Sequence, residues 1–383
     1  MVLTLDAPDA AAFACTELLT QGIDGRAQYR FVYTREFMGH HIVRRIIWFC
    51  IAAVLLYAIF VIWTDARRNL AVLRAFPWGS LPAILGLVMV NFILREVKWN
   101  YFRKAAGIQV PRGGSFLVFF SGYSMSISPG RVGELIKPFM YKEYFGQKMR
   151  RGIPLVFCER LSDLLGMILL ALITIGFYIH GVAGAHGQTE PTSTAVLVYS
   201  FLVFSAGAMA VGIAMMRNKR LVYGMLGRLH GVKKAGKSVH KLRHLYHATY
   251  PLLTVKNLGT TTLLAAVSWS FECMAMLKIL HGVGATGLGL GETMFVFCMA
   301  TIIGGFLFFL PGGLGGFEGA MYKLLAVLGT ATNAIVPAIL LTRFCTLFFA
   351  VGLGFLAILL TSMRYHKKLA WEAFEHVEEQ AES

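Results

Sequence analysis

Ile46 to Trp63 is a run of 18 residues without a charged side chain, close to the roughly 20 that an α-helix needs to cross about 30 Å of hydrocarbon. Comparable apolar runs follow at Leu81 to Phe102, Leu155 to His180, Ala195 to Met216, Leu252 to Leu280 and Ala334 to Leu360. Such runs leave little chain for a water-soluble core. With 56% hydrophobic and 15% charged residues and a mean hydropathy of +0.62, the expected fold is an all-α integral membrane protein.

The formal charge of +16 would suit nucleic acid, but the basic residues sit in short blocks between apolar runs, where a bilayer protein keeps its cytoplasmic charges. Nucleic acid is therefore not expected as a partner. Most of the 36 Lys and Arg residues fall within 26–45, 95–112, 137–151, 217–256 and 364–368. Placing these blocks inside gives a protein of the cytoplasmic membrane with both termini cytoplasmic, despite Arg67, Arg68 and Arg74 in a loop that then faces outside. The loops Gly181 to Ser193 and Gly282 to Gly291 carry no Lys or Arg and are expected outside. Arg95, Lys98, Arg103 and Lys104 close the second span and are read as snorkelling to the cytoplasmic interface.

Residues 1–44 read as a cytoplasmic amphipathic lead-in without a cleavable signal, because Asp6 and Asp9 stand where a basic n-region belongs. Residues 362–383 read as a cytoplasmic tail. The block Arg217 to Tyr250 has nine Lys or Arg and no acid, so Lys233, Lys234, Lys237, Lys241 and Arg243 are expected to meet an anionic leaflet, at about 1 kcal/mol each. Its His240, His244 and His247 share a helical face but have no carboxylate or cysteine beside them, which suits headgroups better than a metal. Five of the six cysteines lie in apolar runs, without CxxC or metal spacing. Neither metal nor cofactor is expected.

Two further apolar segments are broken by glycine and proline, at Ser128-Pro129-Gly130-Arg131-Val132-Gly133-Glu134 and at Leu310-Pro311-Gly312-Gly313-Leu314-Gly315-Gly316-Phe317-Glu318. Each break ends in a glutamate, and an arginine follows inside the next apolar run, 26 residues on at Arg160 and 25 on at Arg343. This is an internal repeat. Gly113 to Ser128 is 16 residues, which as a helix reaches about 24 Å, so it is expected to enter and return as a re-entrant hairpin, with Thr293 to Leu328 as its counterpart. The expected architecture is six spanning helices and two re-entrant hairpins in an inverted repeat, about 45–180 and 194–361. Counting each hairpin as two true spans gives eight or more helices in the same overall orientation.

A break leaves backbone groups without helical partners, tolerated at membrane depth only against protein or a watery cavity. Tight packing of bent helices is the plainer reading. Against it stand the charges that accompany the breaks: Arg131, Glu134, Glu159, Arg160, Asp163, Glu318 and Arg343. Each costs at least about 2.5 to 3.5 kcal/mol at the bilayer centre. Glu159 and Asp163 share a helix face, and Arg160 can pair with Asp163 three residues on. Structural ion pairing competes with a binding role, in which the arginines take a lipid phosphate. Gly130, Gly133, Gly315 and Gly316 would bare the backbone there, and the N–H groups of Val132 and Phe317 would add helix N-termini. Glu134 and Glu318 could hold an amine or sugar. Glu272 is a weaker candidate.

The stretches SPGRVGELIKP, ERLSDLLG, LPGGLGGFEG and LLTRF occur in that order. They resemble the flippase-like membrane domain of the lysylphosphatidylglycerol synthase family over about 45–361. The resemblance implies lipid translocation and points to the same charged residues. Full synthases also carry a cytoplasmic aminoacyl-transferase domain, for which this sequence leaves no room after its last span. The function expected is a flippase or scramblase for a phosphate-bearing lipid or lipid-linked glycan, working around a midplane site. The expected partners are membrane lipids, anionic or polyprenyl-phosphate-linked, and homo-oligomerisation stays open. A membrane-embedded lipid transferase and an ion-coupled solute transporter are the alternatives.

Overall fold

The computed structural model describes residues 66–128, 132–186, 193–230, 243, 245–306, 313 and 315–382. The lead-in, the first expected span, and Gly130, Arg131, Lys233, Lys234, Lys237 and Lys241 lie outside the described residues. All regular structure among the described residues is helical. In order the helices are α1 (Ala66–Ala75), α2 (Leu81–Ala105), α3 (Arg112–Ser121), α4 (Ile136–Phe145), α5 (Met149–His186), α6 (Ser193–Arg217), α7 (Lys219–His230), α8 (Val255–Gly282), α9 (Leu290–Phe306), α10 (Gly316–Val327), α11 (Thr332–Arg343) and α12 (Phe349–Glu382).

Four rods are long and apolar enough to cross a membrane: Trp78–Ala105, Met149–Ala185, Val255–Gly282 and Thr332–Tyr365. The last joins α11 to α12 through a π-helical turn, Phe344–Phe348. Large apolar side chains stay exposed along these rods, among them Ile173, Phe177, Leu263, Val267, Leu356 and Leu359, as a surface that meets lipid requires. α8 packs along both α2 and α5. Its crossing with α5 is close because Gly166 has no side chain: a Cβ there would lie 2.8 Å from that of Ala265.

The broken segments form two helical pairs. α3 and α4 have ten residues each, about 15 Å of helix; α9 and α10 have 17 and 12. The expected 16-residue limb is not one helix, since α3 ends at Ser121 and a 3₁₀ turn, Gly122–Met125, follows. Serine side chains accompany the early end. Ser121 Oγ donates to the Leu117 carbonyl at 2.8 Å and Ser124 Oγ to that of Ser121 at 2.7 Å, drawing on carbonyls that a continuing helix would use.

Contacts assign the helix termini to two ends of the bundle. At one end a Cβ on Gly114 would meet the Phe145 ring, that ring packs edge-on against Tyr365 at 4.9 Å, and Tyr101 Oη donates to Asn257 Oδ1 at 2.8 Å. At the other, Gly181 lies against Glu292 and Leu328, and Gly282 against Phe76. The α3–α4 pair therefore opens on the first end and the α9–α10 pair on the second.

Candidate functional site

α2 presents Ile84, Val88, Asn91, Arg95, Lys98 and Phe102 along one buried stripe at three- and four-residue intervals. The charges on that stripe turn inward. Arg95 Nη2 lies 3.1 Å from Asp163 Oδ2 and 3.8 Å from Glu159 Oε1. Lys98 pairs with Asp163 and donates to the Glu159 carbonyl at 3.3 Å. From α4, Lys137 Nζ reaches Glu159 Oε2 at 2.7 Å and Glu134 Oε2 at 3.4 Å. Gly122 makes that reach possible, because a Cβ there would overlap the Lys137 stem. Arg160 bridges three acids, at 3.3 Å to Glu134, 2.8 Å to Glu159 and 3.4 Å to Asp163. Among the described residues the cluster sets four cations against three carboxylates. Only Arg160 is partly open, its side chain 25% exposed. Aromatic faces add to the support of the cations: Arg95 sits 5.5 Å from the Tyr123 ring centroid and 5.1 Å from that of Trp269, and Lys137 4.8 Å from those of Trp99 and Phe119.

The second break carries a smaller device. Gly315 has φ +86°, a left-handed conformation that costs other residues energy. It turns the chain into α10. Glu318 reaches back so that its Oε2 accepts the Gly315 N–H at 2.7 Å, while Oε1 accepts Arg343 Nε at 2.7 Å. The Arg343 guanidinium lies 3.9 Å from the Phe317 ring centroid. Between the two groups is a cavity of about 60 Å³, lined by Arg95, Tyr123 and Ser126 on one side and by Phe317, Arg343 and Thr346 on the other, with Trp269 and Glu272 of α8 between them. The arrangement can hold an anion or its waters against guanidinium groups from both halves of the chain.

The family model for the lysylphosphatidylglycerol synthase TM region matches residues 50–354. The chain belongs to the lysylphosphatidylglycerol synthase transmembrane family. It is also similar to two UPF0104 membrane proteins of Methanothermobacter thermautotrophicus. One is 22% identical over 329 residues, covering 82% of this chain and 92% of that protein. The other is 22% identical over 320 residues, covering 80% and 93%.

In this lysylphosphatidylglycerol synthase transmembrane-family chain, Glu134, Glu159, Arg160 and Asp163 converge on one cluster, and Glu318 and Arg343 form the other. Three residues read as interfacial belong inside: Arg95, Lys98 and Arg103 are buried, with Arg103 Nη1 donating to the carbonyls of Ile108 and Val110. Lys104 alone of that group is exposed. Lys137, placed in a cytoplasmic block, is buried as well. For Arg95 and Lys98 the signal was the helical stripe of α2, and for Lys137 the three-residue spacing from Glu134.

Several of the backbone groups offered to a ligand are engaged within the protein. The Gly133 N–H donates to Ser128 Oγ at 2.9 Å, and that of Phe317 to the Gly313 carbonyl at 3.2 Å. Gly316 is buried as the first residue of α10, and the α10 N-terminus holds the protein's own Glu318 carboxylate. In the basic block, Arg243 stacks 5.2 Å from the Tyr223 ring, whose hydroxyl lies 2.7 Å from His247 Nε2.

Proposed function

We propose that this protein moves a phosphate-bearing lipid or lipid-linked glycan across the membrane, one half rocking against the other around the charged interior. One observation carries the reading. Ionisable residues on α2, α4, α5 and α11 are buried among rods of membrane-spanning length, and a cavity joins the two groups they form. At about 2.5 to 3.5 kcal/mol per charge on insertion scales, such groups mark ligand or ion pathways in membranes more often than they serve packing. In this reading the α3–α4 and α9–α10 pairs are re-entrant hairpins of an inverted repeat, and the lipid headgroup passes between them while the acyl chains stay in the bilayer. Membrane lipids are the partners, and the basic block from Arg217 to Tyr250 holds the cytoplasmic surface against anionic headgroups.

The test is a vesicle assay. Purified protein is reconstituted with a fluorescent phospholipid, and the fraction open to a membrane-impermeant quencher is followed over time. Accelerated equilibration between leaflets, lost in Arg343→Ala, is expected. Equilibration no faster than in empty vesicles, across phosphoglycerolipids and a polyprenyl phosphate, overturns the reading.

A further inference from the structure

We infer that the cavity between the two charged groups is a clamp for a single phosphodiester, with Arg95 and Tyr123 on one side and Arg343 on the other. This rests on the reading of the domain as a lipid carrier and names the part of the lipid that it grips. Tyr123 is 5% exposed and lines the cavity, yet its hydroxyl has no hydrogen-bond partner among the described residues. Nor has Arg95 Nε, on a side chain 4% exposed that lines the same space. Buried donors are seldom left unmade, because each costs the desolvation of the group. Two such donors beside one cavity point to an acceptor that enters it.

The chemistry of the lining selects the acceptor. A guanidinium matches the paired oxygens of a phosphate, and the cluster behind Arg95 holds one more cation than carboxylates. Arg343 faces the same space from the other half, fixed by Glu318 through Nε. Trp269 and Phe317 give the cavity apolar walls, against which charged contacts are stronger than in open water. Glu272 lines it too. It supplies an acceptor for the hydroxyl or ammonium that a phospholipid headgroup carries beyond its phosphate.

The experiment measures equilibrium binding of dioctanoyl phosphatidylglycerol to the detergent-solubilised full chain, with inorganic phosphate as the lipid-free source and dioctanoylglycerol as the neutral lipid. Tyr123→Phe removes only the unpartnered hydroxyl. It is expected to weaken phosphatidylglycerol about tenfold, a hydrogen bond to a charged group, and to weaken displacement by phosphate in parallel. Arg343→Lys keeps the charge facing Glu318 and is expected to weaken both as well. Tyr178→Phe is the control, since it also deletes a buried hydroxyl without a partner among the described residues, but one beside Phe295 and not in the cavity; its affinity should match the wild type.

Equal affinity of Tyr123→Phe and wild type overturns the clamp, as does equal loss in Tyr178→Phe or equal binding of dioctanoylglycerol. Displacement by phosphate that is insensitive to Tyr123→Phe overturns it too, placing free anion elsewhere. Binding as expected in a protein that moves no lipid in vesicles leaves the clamp standing and removes the transport function. Transport with Tyr123-independent binding does the reverse.

Discussion

Arg160 and Arg343 stand at matching places after the two breaks, yet their neighbours differ, and so should their mutants. Removing one partner of a buried ion pair costs about 3 to 5 kcal/mol, while removing both can be nearly neutral. Arg343→Ala should therefore lower the melting temperature, and adding Glu318→Gln should restore much of it, because the amide oxygen can still accept the Gly315 N–H. Lipid movement should stay lost, and its recovery in that double mutant would assign the pair to the fold alone. Arg160 serves three acids, so Glu134→Gln should not rescue Arg160→Ala: Glu159 and Asp163 remain with a cation fewer. Melting curves that recover to the wild-type value would show the three-way bridge to be absent. The pairing of Glu134 with Arg160 and of Glu318 with Arg343 was legible in the similar spacing, 26 and 25 residues, after two similar breaks. The roles of Arg95, Lys98 and Lys137 were not. A basic residue in the last turns of an apolar run reads alike whether it reaches for water or turns inward, and only the face it shares with Ile84, Val88 and Phe102 decides between the two.

At the scale of helices, small residues set how closely the elements approach. Gly166→Val should force α5 from α8 at Ala265, with an overpacking cost of about 1 to 3 kcal/mol, and unfolding in a series of detergents would register it. Gly166→Ala should cost less. A Gly166→Val protein as stable as the wild type would mean that the crossing is looser than the geometry requires. Helix existence was readable from the length of the apolar runs, and α5, α6 and α8 begin within a few residues of the expected positions, α5 six residues early. The α3 terminus was not readable, because apolar character continues past Ser121. The Glu318 cap was likewise hidden: the sequence offers an acid after a glycine turn, and nothing in the spacing says whether it faces a ligand or its own backbone.

For the molecule as a whole, the contacts that gather Gly181, Glu292 and Leu328 at one end put residues 184 and 287 on the same side. Gly184→Cys and Gly287→Cys should thus label together from outside, and Lys234→Cys, which lies outside the described residues, only from inside; opposite accessibility of 184 and 287 would end the inverted arrangement. Among the described residues Cys158, Cys273, Cys298 and Cys345 are buried and free; Cys15 and Cys50, outside the described residues, are to be replaced first. The ion-pair network bears also on the order of synthesis. Arg95 and Lys98 leave the ribosome 68 and 65 residues before Asp163, so α2 must be presented to the insertion machinery while its counter-charges do not yet exist. Without those counter-charges, a nascent chain stopped at residue 148 should integrate α2 less well than one extended through residue 186. Better integration of the longer chain would make the entry of α2 into the bilayer depend on a helix translated later.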